Sequence, residues 1–249
     1  MDETICNVMV AGDWHGNQRF ALRAIEYAKK QGAEVIVQVG DFGVWTPYGY
    51  IRTLGDAAER AGIIIMFIDG NHEDFDWLLA QPIDDDGIRR LHSHVWHLPR
   101  GFRWEWCGVR FLALGGAYSV DKEYRTEGVS WWPQEKITVS DMYKSIEGGE
   151  VDVMFTHDCP DKVHLPLHHK MHLPYNVQME ANAHRSALGM VVSEVNPKFL
   201  FHGHYHVNHI NVRENEGNRD CNIYGLDMDG NPFPENMMLI DIPEMYAIL

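Results

Sequence analysis

Short apolar runs alternate with helical segments through the first 68 residues, and this alternation constrains the fold more than any other feature. The pattern predicts strands at residues 5–10, 35–39 and 63–68 and helices at 17–31 and 50–61. Strands separated by single helices pair in parallel through right-handed crossovers. The N-terminal part of the chain therefore predicts a parallel sheet covered by helices.

Further strands and one long loop follow, without a recognisable linker. Short apolar runs predict strands at 95–98, 109–114, 151–155, 199–201, 207–212, 221–226 and 237–240, and a helical pattern covers 181–195. Mixed strands with helices outside them predict an α/β fold of two packed sheets flanked by helices, as one domain over residues 1–249. The segment 160–180 holds three prolines and four histidines, which is typical of a flexible loop, and a lid over the substrate and a third metal site are the alternatives.

Charge and cysteine content exclude several classes of protein. The formal net charge of −15 repels a nucleic-acid backbone, which disfavours binding to long DNA or RNA. No apolar run approaches the ~20 residues of a membrane span, and the acidic N-terminus does not resemble a signal peptide. The four cysteines form no CxxC pair. These features predict a cytoplasmic protein with no membrane partner and no disulfide framework.

Polar side chains follow five of the predicted strands directly, and glycine adjoins most of them. They are Asp13 and His15, Asp41, Asn71, His157, and the pair His204 and His206. Ligands bind beyond the carboxyl ends of strands in open α/β sheets, so we expect these groups to share one crevice. The alternative is that they are turn residues with only local hydrogen bonds.

The donor set indicates two metal ions. Carboxylate, amide and imidazole groups suit Mn²⁺, Fe or Zn²⁺ rather than Cu(I) or an iron–sulfur cluster. Seven ligands exceed the three protein ligands of one catalytic zinc, and they fit two metals about 3.5–4 Å apart that share one carboxylate. Two divalent cations outweigh two aspartates, which explains how an acidic protein would hold a phosphate.

The order Asp-x-His, Gly-Asp, Gly-Asn-His-Glu, Thr-His and Gly-His-x-His resembles the calcineurin-like metallophosphoesterase superfamily, from Asp13 to His206. The resemblance implies a four-layer αββα sandwich with two metals and a bridging Asp41. It assigns Asp13, His15, Asp41 and His206 to the first metal, and Asn71, His157 and His204 to the second. His72 would bind no metal. It would lie near the leaving-group oxygen as a general acid, or stabilise the transferring phosphoryl group.

Departures from the family patterns remove two branches. Gly43-Val44-Trp45 stands where protein serine/threonine phosphatases carry Asp-Arg-Gly, and Val44 stands where purple acid phosphatases carry a metal-binding tyrosine. Many cyclic-nucleotide phosphodiesterases of the superfamily carry an aspartate at the same place, which leaves the orientation of His72 open. Glu73, Asp74 or Asp121 would then take the role of that aspartate.

These features together predict a metal-dependent phosphoric ester hydrolase. The expected substrate is a small phosphodiester, such as a cyclic nucleotide, or a phosphomonoester, attacked by a metal-activated hydroxide, with Asp41 and His72 as catalytic residues. The predicted substrate contacts are Asn17, Tyr118 and Arg125. Mn²⁺ is the preferred metal, with Fe, Zn, Ni and Co as alternatives. A single-strand nuclease and a catalytically silent metal-binding scaffold remain the other interpretations, and a homo-oligomer stays open.

Overall fold

Two six-stranded sheets dominate the computed structural model, which describes residues 5–45, 49–167, 173–215 and 217–249. The strands are β1 (Asn7–Ala11), β2 (Val35–Gln38), β3 (Ile64–Phe67), β4 (Arg89–His92), β5 (Val95–His97), β6 (Phe102–Trp106), β7 (Val109–Leu114), β8 (Val153–Thr156), β9 (Phe199–His202), β10 (His209–Arg213), β11 (Cys221–Gly225) and β12 (Met237–Asp241). The first sheet has the order β12-β1-β2-β3-β5-β4, and the second has the order β10-β11-β9-β8-β7-β6. In each sheet four parallel strands lie between two antiparallel edge strands.

Helices flank both sheets. They are α1 (Gln18–Lys30), α2 (Gly49–Ala61), α3 (Phe75–Ala80), α4 (Val139–Glu147), α5 (Tyr175–Val195), α6 (Phe233–Asn236) and α7 (Ile242–Tyr246). Helices α1 and α2 pack on the first sheet, and α4 and α5 pack on the second. The inner faces meet in a core that includes Val10, Val37, Phe111 and Phe155. The αββα sandwich with two mixed sheets is therefore confirmed.

The structure corrects the predicted 160–180 loop at its C-terminal end. Helix α5 begins at Tyr175, directly after Pro174, so residues 175–180 are helical. Val177 is the one buried side chain among those six, and Tyr175, Val177 and Met179 are spaced two residues apart, which gives no helical periodicity to detect. The segment 168–172, with His168, His169 and His172, lies outside the described residues.

Two further features of the described chain bear on the predictions. None of its helices is both long and apolar enough to cross a bilayer. The four cysteines are thiols, although the Sγ atoms of Cys6 and Cys107 lie 3.8 Å apart. The two cysteines are 101 residues apart in the sequence, so their proximity could not be predicted from it.

Candidate metal centre

The carboxyl ends of the parallel strands of both sheets converge at one edge of the sandwich. The first sheet brings Asp13 and Asp41, after β1 and β2, and the second brings His157 and His206, after β8 and β9. His157 Nε2 lies 3.4 Å from Asp41 Oδ1, and His206 Nε2 lies 3.1 Å from Asp13 Oδ2. The cluster therefore spans the seam between the two sheets.

All seven predicted ligand residues lie in this cluster. Two groups have ligand atoms within 4.8 Å of one another, namely Asp13 with His15 and His206, and Asp13 with Asp41 and His157. Asn71 Oδ1 lies 3.0 Å from His157 Nε2, and the ring centroids of His157 and His204 are 5.0 Å apart. The two oxygens of Asp41 face different histidines, since Oδ2 lies 3.5 Å from His15 Nε2 and Oδ1 faces His157.

Hydrogen bonds to Nδ1 orient two of the imidazoles. His157 Nδ1 donates to the carbonyl of Val39 at 2.8 Å, so its Nε2 points to the oxygens of Asn71 and Asp41. His15 Nδ1 pairs with Asp229 Oδ1 at 2.9 Å, which turns its Nε2 toward Asp41. A histidine that binds metal through Nε2 is held in the same way by a partner on its other nitrogen.

The electrostatics of the cluster favour a cation between these groups. Although burial opposes the charged imidazole, Asp41 and Asp13 raise the pKa of His157 to about 10. Burial is likewise outweighed at His15, where Asp41, Asp13 and Asp229 raise the pKa to about 9. At His204 burial prevails and lowers the pKa to about 4. The protons on His15 and His157 thus face oxygen atoms. A divalent cation would take the place of these protons, and the donor set fits such an ion.

Backbone strain is concentrated at the same residues. His15, Asp41, His204 and His206 have φ of 43°, 54°, 65° and 52°, which is left-handed backbone that non-glycine residues seldom adopt. Such strain persists only where the surrounding structure enforces it, and it clusters at functional sites.

Two glycines of the motifs are needed for close approach as well as for turning. A Cβ on Gly203 would lie 1.9 Å from Asp13 Oδ1. A Cβ on Gly40, whose φ is 101°, would lie 2.4 Å from His157 Nδ1. Each glycine therefore makes room for a side chain that follows a strand of the other sheet.

Arg125 lies beside His72, where Glu73, Asp74 or Asp121 was expected from the sequence. Its Nη2 donates to the His72 imidazole, 2.7 Å from Nε2, and its Nε pairs with Asp121 Oδ2 at 3.2 Å. Burial and the guanidinium lower the pKa of His72, although Asp41 opposes the shift. Asp121 pairs with Arg125, and its charge also acts on His72, where it opposes the lowering of the pKa.

Glu73 and Asp74 have partners other than His72. The buried carboxylate of Glu73 accepts hydrogen bonds from the backbone N–H groups of Phe42, Gly43 and Val44 at 2.7, 3.2 and 2.8 Å. Burial and the charge of Asp41 raise its pKa to about 8. Asp74 caps helix α3, so neither carboxylate holds the imidazole.

The predicted substrate contacts differ in their surroundings. Asn17 caps α1 with Oδ1 and donates from Nδ2 to Asp229 Oδ2 at 2.6 Å, so both ends of its amide have partners. Tyr118 is 3% exposed, and the Nζ atoms of Lys122 and Lys136 lie 5.1 and 5.8 Å from its ring centroid. Arg125, by contrast, contacts His72 directly.

Sequence reasoning missed Asp229 and the buried pair Ser119 and Glu135. Ser119 Oγ accepts from Asn71 Nδ2 at 3.0 Å and donates to Glu135. Burial raises the pKa of Glu135 to about 7, although Ser119 and Arg125 oppose the shift. None of the three belongs to a motif, and only the topology brings them to the cluster.

Comparisons with known proteins identify a family and a fold. A family model described as calcineurin-like phosphoesterase matches residues 6–208. The protein TT1561 of Thermus thermophilus superposes with a TM-score of 0.55 at 10% identity, covering 96% of this chain and 100% of that chain. A second solved structure gives 0.60 at 11% identity, covering 96% and 95%. At this identity both likenesses show the fold alone. A dimetal phosphatase from Danio rerio superposes with a TM-score of 0.47 at 11% identity, covering 95% of this chain and 92% of that chain. This TM-score supports no further inference. No curated protein matches the chain.

Proposed function

The chain belongs to the calcineurin-like phosphoesterase family, and on that premise we propose that it hydrolyses a small phosphodiester or phosphomonoester with two divalent metal ions. One observation carries the proposal. His157 Nε2 faces both Asn71 Oδ1 and Asp41 Oδ1, at 3.0 and 3.4 Å, in a completely buried position. A proton on His157 Nε2 satisfies these oxygens in the metal-free protein, and a divalent cation between the same atoms would stabilise them in its place.

We assign the ligands as the family motifs suggest, with Asp41 bridging. Asp13, His15, Asp41 and His206 would hold the first metal, and Asn71, His157 and His204 would hold the second. Mixed oxygen and nitrogen donors suit Mn²⁺, our preferred ion, and Fe, Zn, Ni and Co are the alternatives. When bound, the two cations lower the pKa of a water and neutralise charge on the phosphate.

His72 and Arg125 would complete the site for an anionic substrate. A lowered pKa keeps His72 neutral near pH 7, which favours donation of a hydrogen bond from its N–H to the transferring phosphoryl group over proton transfer by an imidazolium. Arg125 presents N–H donors beside the imidazole, and guanidinium groups bind phosphate oxygens well. Both residues would therefore act on charge that develops in the transition state.

The surroundings of His72 support a small substrate with a flat group. Trp45 is 41% exposed, and its ring centroid lies 6.1 Å from that of His72. An indole in this position offers a stacking face for an aryl group or a nucleobase. The net charge of −15 disfavours a long polyanion, so we prefer a cyclic nucleotide-like phosphodiester to a nucleic-acid strand.

The test is turnover of bis-p-nitrophenyl phosphate, p-nitrophenyl phosphate and a cyclic nucleotide with Mn²⁺. We expect activity that EDTA removes and Mn²⁺ restores. Asp41→Asn should lower kcat by more than about 100-fold, the upper range for loss of a residue that only supports a ligand. Asp85→Asn, in an exposed turn, is the matched control.

Equal activity of the Asp41→Asn variant and the wild type would contradict the two-metal mechanism. Mn²⁺ binding without turnover of any ester would indicate a silent scaffold. Degradation of single-stranded RNA or DNA at low salt, quenched as salt rises, would instead support a nuclease.

A further inference from the structure

Ser119 uses its entire hydrogen-bonding capacity behind the proposed second metal position. Its Oγ accepts from Asn71 Nδ2 at 3.0 Å and from Arg125 Nη1 at 3.2 Å, and it donates to Glu135 Oε2. A hydroxyl has one proton to donate and two lone pairs to accept with. Every one of these positions is therefore occupied by a protein group.

The direction of each hydrogen bond is fixed by the groups at its two ends. A guanidinium only donates, and an ionised carboxylate only accepts. When Glu135 is ionised, above its pKa of about 7, the Ser119 proton therefore points to Glu135, which leaves the Ser119 lone pairs for Arg125 and for the amide of Asn71. The amide consequently turns its NH₂ to Ser119 and its Oδ1 to His157, where a metal ligand is required.

Burial prevents water from replacing any of these partners. Asn71, Ser119 and Glu135 are 3%, 2% and 1% exposed. The Glu135 carboxylate also accepts from the N–H of Trp132 at 3.1 Å and from Arg125 Nη1 at 3.1 Å. An amide turned the wrong way would face Ser119 oxygen to oxygen, without a solvent molecule to relieve the repulsion.

The segment that carries Glu135 is itself anchored. Arg100 donates to the carbonyls of Gln134 and Lys136, each at 2.7 Å, and pairs with Asp69 Oδ2 at 2.6 Å. Asp69 follows β3, the strand that also leads to Asn71. The carboxylate and the amide that it orients are thus held relative to the same strand.

We infer that Glu135 is a positioning residue: through Ser119 it determines that the oxygen of Asn71, and not the nitrogen, faces the metal centre. Through Arg125 it also holds the guanidinium against His72. The inference rests on the proposed function, because it concerns the same metal site.

The test compares Glu135→Gln with the wild type at about pH 8, above the pKa of about 7 that burial gives this carboxyl, so that the wild-type group is ionised. A glutamine amide can donate to Ser119, which lets the hydroxyl donate to Asn71 and the Asn71 amide invert. We expect the weaker of two Mn²⁺ affinities, measured by titration calorimetry and metal analysis, to fall by about 10- to 100-fold. Glu123→Gln removes a charge from an exposed position in the same region and should leave both affinities unchanged.

A double variant separates positioning from a general structural role. Asn71→Asp alone should weaken Mn²⁺ binding, because a carboxylate oxygen would face a Ser119 lone pair. In Glu135→Gln/Asn71→Asp, Ser119 is free to donate to the new carboxylate, so Mn²⁺ binding should recover above either single variant. Loss of packing alone would give additive defects with no recovery.

Two further results would decide the outcome. If the wild type binds no pair of Mn²⁺ ions, the proposed function fails. If it binds two and both Glu135→Gln and Ser119→Ala bind them equally well, the inference about Glu135 is wrong. Thermal unfolding of each variant identifies misfolding, and Ser119→Ala, which removes only one oxygen, serves as the test where Glu135→Gln does not fold.

Discussion

At the scale of single residues, the histidines of the candidate metal centre differ in the protons that they carry. The pKa values of His15 and His157 are raised from 6.5 to about 9 and about 10, because the charge of nearby aspartates outweighs burial. Their folded-state pKa lies above the unfolded value, so the stability they contribute is fully present below about pH 6.5. The contribution is lost as pH rises through 9 to 10. A bound metal would replace these protons and reverse the trend.

We therefore predict opposite pH dependences for the metal-free and metal-loaded protein. Between about pH 6.5 and about pH 8.5, the Tm in EDTA should fall while the increase in Tm caused by Mn²⁺ should grow. Thermal unfolding by circular dichroism measures both. The His15→Gln variant should show a smaller fall in EDTA. A Tm in EDTA that rises over this range would contradict the assignment of protons to these two imidazoles.

Asp229 gives a second prediction at this scale. It pairs with His15 Nδ1 and also accepts from Asn17, so it sets the direction of His15 Nε2. Asp229→Asn should weaken Mn²⁺ binding by about 10- to 100-fold, as loss of a partner behind a histidine ligand does. Titration calorimetry checks the affinity, with Asp85→Asn as the control. Unchanged affinity would mean that the strained backbone alone orients His15.

Some of these residues could be predicted from the sequence and others could not, because only some of them belong to recognisable motifs. Asp13 and Asp41 each follow an apolar strand within a few residues, so strand ends located them. Asp229 is separated from His15 by 214 residues; it follows β11 within four residues, but it belongs to none of the motifs. The contact of Arg125 with His72 was equally hidden, because it depends on how the 119–135 segment folds back.

At the scale of elements, one carboxylate organises the loop between β2 and α2. Glu73 accepts hydrogen bonds from three successive backbone N–H groups of this loop, at residues 42–44. Asp41 directly precedes these residues. The carboxylate therefore holds the backbone that presents the proposed bridging ligand.

Glu73→Ala should destabilise the protein by about 1–3 kcal/mol for each buried N–H that loses its acceptor. Hydrogen exchange of the amides at 42–44 should accelerate, and urea unfolding should give the loss of stability. Glu73→Gln keeps one acceptor oxygen and should lose less. Glu59→Gln, on the exposed face of α2, is the matched control. Unchanged exchange at 42–44 in Glu73→Ala would show that the loop does not depend on the carboxylate.

Elements with a clear apolar period were predictable, and those without one were not. Strands β1, β2, β3 and β7 were located within two residues because nearly all of their residues are apolar and buried. Strand β4 carries two arginines and a histidine at a sheet edge, where charge replaces the apolar pattern. The start of α5 was missed because Val177 is the one buried position in its first turns.

At the scale of the whole molecule, Cys6 and Cys107 bring two distant segments close together. Cys6 precedes β1 of the first sheet, and Cys107 lies in the turn between β6 and β7 of the second. We predict that a mild disulfide reagent links them, each thiol losing its hydrogen as the reagent is reduced. Closing a loop of this length stabilises a chain by about 4–5 kcal/mol in the entropic model, less any strain in the bond. The buried Cys159 and Cys221 should not react.

Mass spectrometry should show the loss of two hydrogens, and Tm should rise in the oxidised protein. Cys107→Ser should abolish both effects. Oxidation that leaves Tm unchanged or lower would show that the two segments must distort to bring the sulfurs together.

The proposed ligands come from both sheets: Asp13, Asp41 and Asn71 follow strands of the first, and His157 and His206 follow strands of the second. A pair of cations bound by ligands from both sheets would hold the two sheets together at this edge of the sandwich. Removal of the metals by a chelator would weaken the contact between the sheets before either sheet unfolds. Proteases would then cleave the metal-free protein more readily. The supply of divalent ions would then govern the lifetime of the folded molecule as well as its turnover.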